Sequence, residues 1–116
     1  MAFPEFVDLV LEAKNPKRNV DRIYEIRAGL DMFGTVIVET RFGRRGTYGK
    51  LSRISFPNEY SAARAVMRHL ARRIGASGRN GAPYIVRLAN IGNARWFGML
   101  RSRANKVTGS EEHSYS

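Results

Sequence analysis

Cysteine is absent from this chain of 116 residues. Its absence excludes a disulfide scaffold and any metal site built on thiolates, and it is compatible with a reducing compartment. Histidine is scarce as well, and His69 has no second His, Asp or Glu at ligand spacing on its predicted helix. We therefore expect no metal site. Hydrophobic residues make up 43% of the chain, and this length suits a single domain with one modest core.

Long hydrophobic runs are also missing. No segment approaches the ~20 consecutive apolar residues that a helix needs to cross a bilayer. The first six residues, MAFPEF, lack the basic region that opens a signal peptide. We therefore expect a soluble, cytoplasmic protein that does not associate with membranes.

Acidic residues become rare after residue 40. Residues 1–40 carry five Lys/Arg and seven Asp/Glu, whereas residues 41–106 carry fifteen Lys/Arg and a single acid, Glu59. The net charge of the whole chain is +10. Such a field of one sign attracts polyanions, and nucleic acid is the favoured partner. An anionic membrane is less favoured, because the aromatic residues are not gathered on one basic amphipathic helix.

Catalytic groupings are not apparent either. The basic region holds no paired carboxylates, no cysteine and no Ser-His-Asp context. Three glycines, Gly43, Gly46 and Gly49, recur at intervals of three, but they do not open a helix as a nucleotide-binding loop does. We expect a protein that is not an enzyme and uses no cofactor.

Alternating apolar residues predict strands at about 5–12, 22–28, 35–42 and 50–56. Short connections between them, including a polar one over 13–19, favour an antiparallel meander. Leu30, Met32 and Phe33 are expected to pack beneath the loop between the second and third strands. Residues 84–88 are read either as an edge strand or as an extended segment.

A helix is predicted over 59–74, with Asn58 as its N-cap and Gly75 as its terminator. Its apolar stripe has a period of 3.6 residues and comprises Ala62, Ala63, Val66, Met67, Leu70, Ala71 and Ile74. A short helix over 94–104 would be capped by Asn93 and anchored by Trp96. The predicted fold is α+β: an antiparallel sheet of four strands, or slightly more, covered by one main helix, with a short C-terminal helix. We divide the chain into a domain at 1–88, an extension at 89–104 and a disordered tail at 105–116.

The segment 41–49, RFGRRGTYG, joins two predicted strands and is expected to be a tight Gly-rich hairpin. It concentrates three arginines and two aromatics. Guanidinium groups pair with phosphate, and aromatic faces stack on bases or sugars, so this content favours nucleic-acid binding. A purely structural hairpin with solvated arginines is the alternative.

Several stretches of the chain resemble the WGR domain over roughly residues 5–86. The matching stretches are KRNVDRIY at 17–24, Phe33-Gly34, FGRRG at 42–46 with Gly49, Ala62-Ala63, and Tyr84. WGR domains occur in DNA-dependent poly(ADP-ribose) polymerases and as small stand-alone bacterial proteins, and this chain is similar to the latter. The resemblance implies that Phe42 stacks on the terminal sugar of a DNA end and that Arg44 supports that end. Phe42 stands where the family has Trp, and Arg45 where it has an aliphatic residue.

Residues and resemblance together predict a non-catalytic nucleic-acid-binding module, with DNA ends or single-strand junctions as the favoured ligand. RNA binding, or an adaptor that contacts an acidic protein, is the alternative, and we expect a monomer. The candidate contact residues are Arg18, Asn19, Arg41, Phe42, Arg44, Arg45, Tyr48, Lys50, Arg53, Arg64, Arg68, Arg72, Arg79 and Tyr84. Three of these assignments stay open: Phe42 and Tyr84 also fit core positions, and the helical arginines also fit a solvated face.

Overall fold

The structure, a computed structural model, describes residues 3–74 and 82–100. The elements follow in the order β1 (Val7–Asn15), a 3-10 turn (Pro16–Arg18), β2 (Val20–Leu30), β3 (Val36–Arg44), β4 (Lys50–Phe56), α1 (Glu59–Ile74) and β5 (Ile85–Ile91). Residues 94–100 are helical and are called α2 here. The predicted α+β class is confirmed. Arg79, Gly75 and the predicted tail at 105–116 lie outside the described residues.

The strands form one antiparallel sheet in the order β4-β3-β2-β1-β5. The first four form the predicted meander, and β5 returns across the sheet to pair with β1. Both β1 and β2 are longer than predicted, because pairing continues from Ala13↔Arg22 to Asn15↔Val20. The connection expected over 13–19 is therefore reduced to the 3-10 turn and its flanking residues. Residue 88, where we divided the chain, lies inside β5.

The core lies between the sheet and α1. One face of β1 and β2 is buried, with Leu11 and Ile26 fully inaccessible, and Val66 of α1 is buried against this layer. Burying a side chain of this size stabilises the fold by about 1.5–3 kcal/mol. The predicted helical stripe is confirmed at most positions, but Ile74, its last member, is 44% exposed.

Caps define the starts of both helices as predicted. The Oδ1 atom of Asn58 accepts the backbone N–H of Ser61 at 2.8 Å, and that of Asn93 accepts the N–H of Trp96 at 2.9 Å. Each bond satisfies one of the backbone donors that the first helical turn leaves unpaired.

Trp96 anchors α2 to the rest of the fold, as the sequence predicted. It is fully buried and stacks on Phe6 with ring centroids 5.1 Å apart. Its indole Nε1–H donates to Glu59 Oε1 at 2.9 Å, and Arg95 also binds this carboxylate. The hydrogen bond from Arg95 is the largest influence on Glu59 and lowers the pKa of its carboxyl group. The first residues of α1 are thereby tied to α2.

The expectation that Met32 and Phe33 pack beneath the β2–β3 turn is wrong. They are 89% and 84% exposed, while Leu30 alone of the three packs against the core. Asp31 closes the turn on itself, because its Oδ1 accepts the backbone N–H groups of Phe33 and Thr35. This closure holds the two large side chains away from the sheet.

Candidate nucleic-acid interface

The sheet has two faces, and the predicted basic residues are divided between them. Directly paired residues of an antiparallel sheet lie on the same face. The register places Asp8, Arg27, Glu39 and Arg53 in one transverse row on the face away from α1, called the open face here. Charge alternates in sign along this row.

Ion pairs neutralise the arginines of the open face. Glu39 binds Arg27 at 3.4 Å and Arg53 at 3.3 Å, and the Arg41 guanidinium lies 2.7 Å from Glu25. Exposed pairs of this kind contribute little stability, about 0–1 kcal/mol each. Their consequence here is electrostatic, since each carboxylate lowers the attraction of the open face for phosphate.

Arg45 and Arg87 are paired in the same way at the other end of the open face. Arg45 lies 3.0 Å from Asp21 and also forms an ion pair with Glu12, which binds Arg87 at 3.2 Å. The sequence shows no acid close to Arg45 in the chain, because both partners belong to neighbouring strands. The acids of the first forty residues thus neutralise part of the basic segment that follows them.

Cations without ion pairs collect on the other face, beside the C-terminal end of α1. Arg22 and Arg44 are direct cross-strand neighbours there, and Lys50 lies opposite Phe42. No ion pair forms at these three side chains within residues 3–74 and 82–100. Like charges directly opposite each other are destabilising. A pair of adjacent arginines without an acid is therefore suited to receiving an anion.

Two aromatic rings lie among these cations. Phe42 stacks on Tyr24 with centroids 5.6 Å apart and planes at 23°, and it is only partly buried. Tyr84 meets Tyr24 edge-on, but it is 5% exposed and belongs to the core. Of the candidate aromatics on this face, Phe42 thus offers the accessible surface, and Tyr84 supports the pair from below.

Arg73 of α1 covers this aromatic pair. Its guanidinium carbon lies 4.4 Å from the ring centroid of Tyr24 and 5.4 Å from that of Phe42, both within cation–π range. Its Nε atom is buried and has no hydrogen-bond partner in the described part of the chain. We call Arg22, Arg44, Lys50 and Arg73, with Tyr24 and Phe42, the basic end.

Sequence reasoning missed Arg22 and Arg73. The alternation of β2 places Arg22 on the same face as Tyr24, a signal that was available in the sequence. Arg73 carries no comparable signal, because its position over the rings depends on how α1 crosses the sheet.

Arg44 links the basic end to the β1–β2 connection. Its guanidinium donates to both the backbone carbonyl and the side-chain Oδ1 of Asn19, each at 2.9 Å. Asn19 has a left-handed backbone with φ of 56°, which Asn tolerates better than most residues. The structure thus brings together the predicted residues Asn19 and Arg44, while Arg18 is exposed in the adjacent turn.

The β3–β4 hairpin depends on glycines in the left-handed region. Gly46 has a φ of 88° and Gly49 a φ of 78°. A Cβ atom on Gly49 would lie 2.4 Å from the carbonyl oxygen of Phe42, whereas one on Gly46 would meet nothing within 4 Å. Behind the hairpin is a small cavity of about 110 Å³. There the ring of Tyr48 lies 5.3 Å from the Arg41 guanidinium.

These two glycines provide a matched pair of substitutions. Gly46→Ala should cost about 1–2 kcal/mol of unfolding free energy, because only the left-handed backbone penalises it. Gly49→Ala should cost more, because the new methyl group also collides with the strand that carries Phe42. Chemical denaturation of both variants measures the difference, and equal costs would contradict the close approach at Gly49.

The outer surface of α1 is also basic. Arg64, Arg68 and Arg72 are exposed and form no ion pair with any other described residue. Burial, followed by the charges of Arg72, Arg68 and Arg73, lowers the pKa of His69, which hydrogen-bonds the Tyr24 hydroxyl through Nδ1 at 3.1 Å. The lowered pKa favours the neutral form of the imidazole beside the basic end.

The described residues hold neither a cluster suited to a metal ion nor a helix suited to crossing a membrane. No three or more His, Cys, Asp or Glu side chains come together in an arrangement suited to a metal ion. Neither helix in residues 3–74 and 82–100 has the length and apolar character needed to cross a membrane.

Comparison with known proteins gives one match. The family model of the WGR domain matches residues 7–78, which include β1 to β4 and α1, whereas β5 and α2 follow the matched region. No curated protein and no solved structure matches the chain. WGR domains are nucleic-acid-binding modules, and with most of its length matched this chain belongs to the WGR family.

Proposed function

We propose that this protein is a non-catalytic DNA-binding module that engages DNA ends through the basic end. One observation carries the proposal: the partly exposed ring of Phe42 is surrounded by cations that have no ion pair, while the open face is neutralised. Phosphate is attracted where positive charge is uncompensated, and a flat ring offers a surface for a sugar or base. The two properties coincide at this end of the sheet.

Each side chain of the basic end has a distinct role in this proposal. Phe42 stacks on the terminal nucleotide, and Arg44 holds a nearby phosphate while it keeps its bonds to Asn19. Arg22 and Lys50 contact phosphates on either side, and the Arg73 guanidinium adds positive charge above the two rings. Arg18 extends the positive surface along the β1–β2 connection.

The remaining candidates act mainly by positioning. Arg41, Arg45 and Arg53 are held by carboxylates, so we propose that they orient the β3–β4 hairpin and contribute less to affinity than Arg44. Tyr48 shields Arg41, and Tyr84 supports Tyr24 from the core. Arg64, Arg68 and Arg72 carry the positive surface onward along α1.

Phe42 variants test the proposal. Phe42→Ala should weaken binding to linear duplex DNA by about fivefold to tenfold, the low end of the ~1–3 kcal/mol measured for aromatic stacking. Binding to closed circular DNA, which has no ends, should change little. Phe42→Trp should strengthen binding to ends, because a larger ring offers more stacking area. Fluorescence anisotropy measures binding to the linear duplex, and competition with closed circular DNA measures binding to DNA without ends.

Phe42→Leu is the matched control, since it keeps an apolar side chain against Tyr24 and removes the flat face. It should lose end binding much as Phe42→Ala does, with a smaller loss of thermal stability. Arg44→Gln should weaken linear and circular DNA alike, because a guanidinium contacts any phosphate. Wild-type end binding by folded Phe42→Leu would refute the stacking role. Preference for RNA or an acidic protein over DNA would refute the proposed ligand.

A further inference from the structure

The outer surface of α1 carries an aromatic ring and three arginines in a single row. Tyr60, Arg64, Arg68 and Arg72 follow one another at intervals of four residues, and we call them the helix track. Tyr60 is 59% exposed, and the Arg64 guanidinium lies 5.9 Å from its ring centroid. Glu59, the one acid in this helix, is bound instead by Arg95 and Trp96.

The spacing of the helix track suits the backbone of one nucleic-acid strand. Four residues advance a helix by about 6 Å, so the track extends roughly 18 Å from Tyr60 to Arg72. Steps of 6 Å are close to the separation of neighbouring phosphates along a strand. Each step also turns roughly 40° around the helix axis, so the row crosses the outer surface of α1 diagonally.

The track is continuous with the basic end. Arg72 precedes Arg73, whose guanidinium lies over Tyr24 and Phe42. A strand that leaves Phe42 therefore meets Arg72 first, then Arg68 and Arg64, and finally Tyr60. No acidic side chain within the described residues forms an ion pair with this path.

The exposed ring of Tyr60 favours a single strand over a duplex as the ligand of the helix track. Away from the ends of a duplex, the base faces are occupied by stacking on neighbouring base pairs, so an exposed ring on a protein surface has nothing to stack on there. Unpaired bases are free to do so, and basic residues combined with exposed aromatics are typical of proteins that bind single strands.

We infer that the helix track binds the single-stranded DNA that flanks a duplex end held at the basic end. This inference rests on the proposed function and narrows its ligand to a junction between duplex and single strand. Arg64, Arg68 and Arg72 contact successive phosphates, and Tyr60 stacks on an unpaired base a few nucleotides from the junction.

Tailed duplexes test this inference. The probes are one blunt duplex and the same duplex with a ten-nucleotide oligo(dT) tail on either the 5′ or the 3′ strand. For the wild-type protein, one of the two tailed duplexes should bind about tenfold more tightly than the blunt duplex at low salt. The triple variant Arg64→Gln, Arg68→Gln and Arg72→Gln should abolish this gain and lower the salt slope on tailed DNA by about two. Tyr60→Ser should reduce the gain by about fivefold.

Arg87→Gln is the charge-matched control for Arg68→Gln, because both remove one exposed arginine and Arg87 lies on the open face, paired with Glu12. Arg68→Gln should lower the increase in affinity that the tail gives, and Arg87→Gln should leave this increase unchanged. The inference is overturned if tails give the wild-type protein no gain, or if the triple variant weakens blunt and tailed DNA equally. If the wild-type protein binds the blunt duplex and a tail adds no affinity, this inference alone is overturned. If it binds no DNA at all, the proposed function is overturned too.

Discussion

Trp96→Ala is expected to lower the free energy of unfolding by about 3–5 kcal/mol, the usual cost of truncating a fully buried aromatic residue to alanine. Trp96 is completely inaccessible and stacked on Phe6, and its indole N–H donates to Glu59. Truncation leaves a cavity between α2 and the sheet and removes a bond that ties α2 to the start of α1. The loss should appear as a lower denaturation midpoint.

Phe97→Ala is the control for this loss. Phe97 is the next residue and is 50% exposed, so its truncation should cost about 1 kcal/mol. Similar costs for the two variants would contradict the anchoring role of Trp96. A large difference would mean that α2, which follows the region of the family match, is an integral part of this fold.

Affinity for blunt duplex DNA should fall several hundredfold when salt rises from about 50 to 200 mM. A site that neutralises about five phosphates gives a slope of log K against log salt of −4 to −5. The four cations of the basic end and Arg18 account for such a number. If every Lys and Arg between residues 41 and 106 took part, the slope would be far steeper.

Two sets of variants make this prediction specific. Arg22→Gln combined with Arg44→Gln should reduce the magnitude of the slope by about two, roughly one for each lost phosphate contact. Arg41→Gln should leave it nearly unchanged, because Glu25 already neutralises Arg41. A wild-type slope near zero would refute nucleic-acid binding through the basic surface. If Arg41→Gln changed the slope as much as the double variant does, the ion pairs of the open face would not decide where DNA binds.

Local patterns in the sequence were enough to predict the main elements. The bounds of β4 and α1 agree with those predicted, since period-two and period-3.6 patterns and an Asn cap depend only on residues close together in the chain. The Gly-rich hairpin and the burial of Trp96 were predicted on the same basis. Met32 and Phe33 were misplaced because their hydrophobicity was read without the closure of the turn by Asp31.

The candidate site was predictable only in part. Phe42, Arg44 and Asn19 were identified from the sequence and from its resemblance to the WGR family. Which arginines are neutralised was not predictable, because the partners of Arg45 lie on β1 and β2 and depend on strand register. The adjacency of Arg22 and Arg44 has the same origin.

The approximate positions of β1 to β4 and α1, the excess of positive charge and the family could all be inferred from the amino-acid sequence alone. Where that charge is uncompensated depends on the tertiary structure, because opposite charges cancel between side chains that are a few ångströms apart in space and distant in sequence. Arg73 shows this most clearly: the crossing of α1 over the sheet brings it above Tyr24 and Phe42. The hydrophobic period of a helix indicates which of its sides is buried, but not which strand that side packs against.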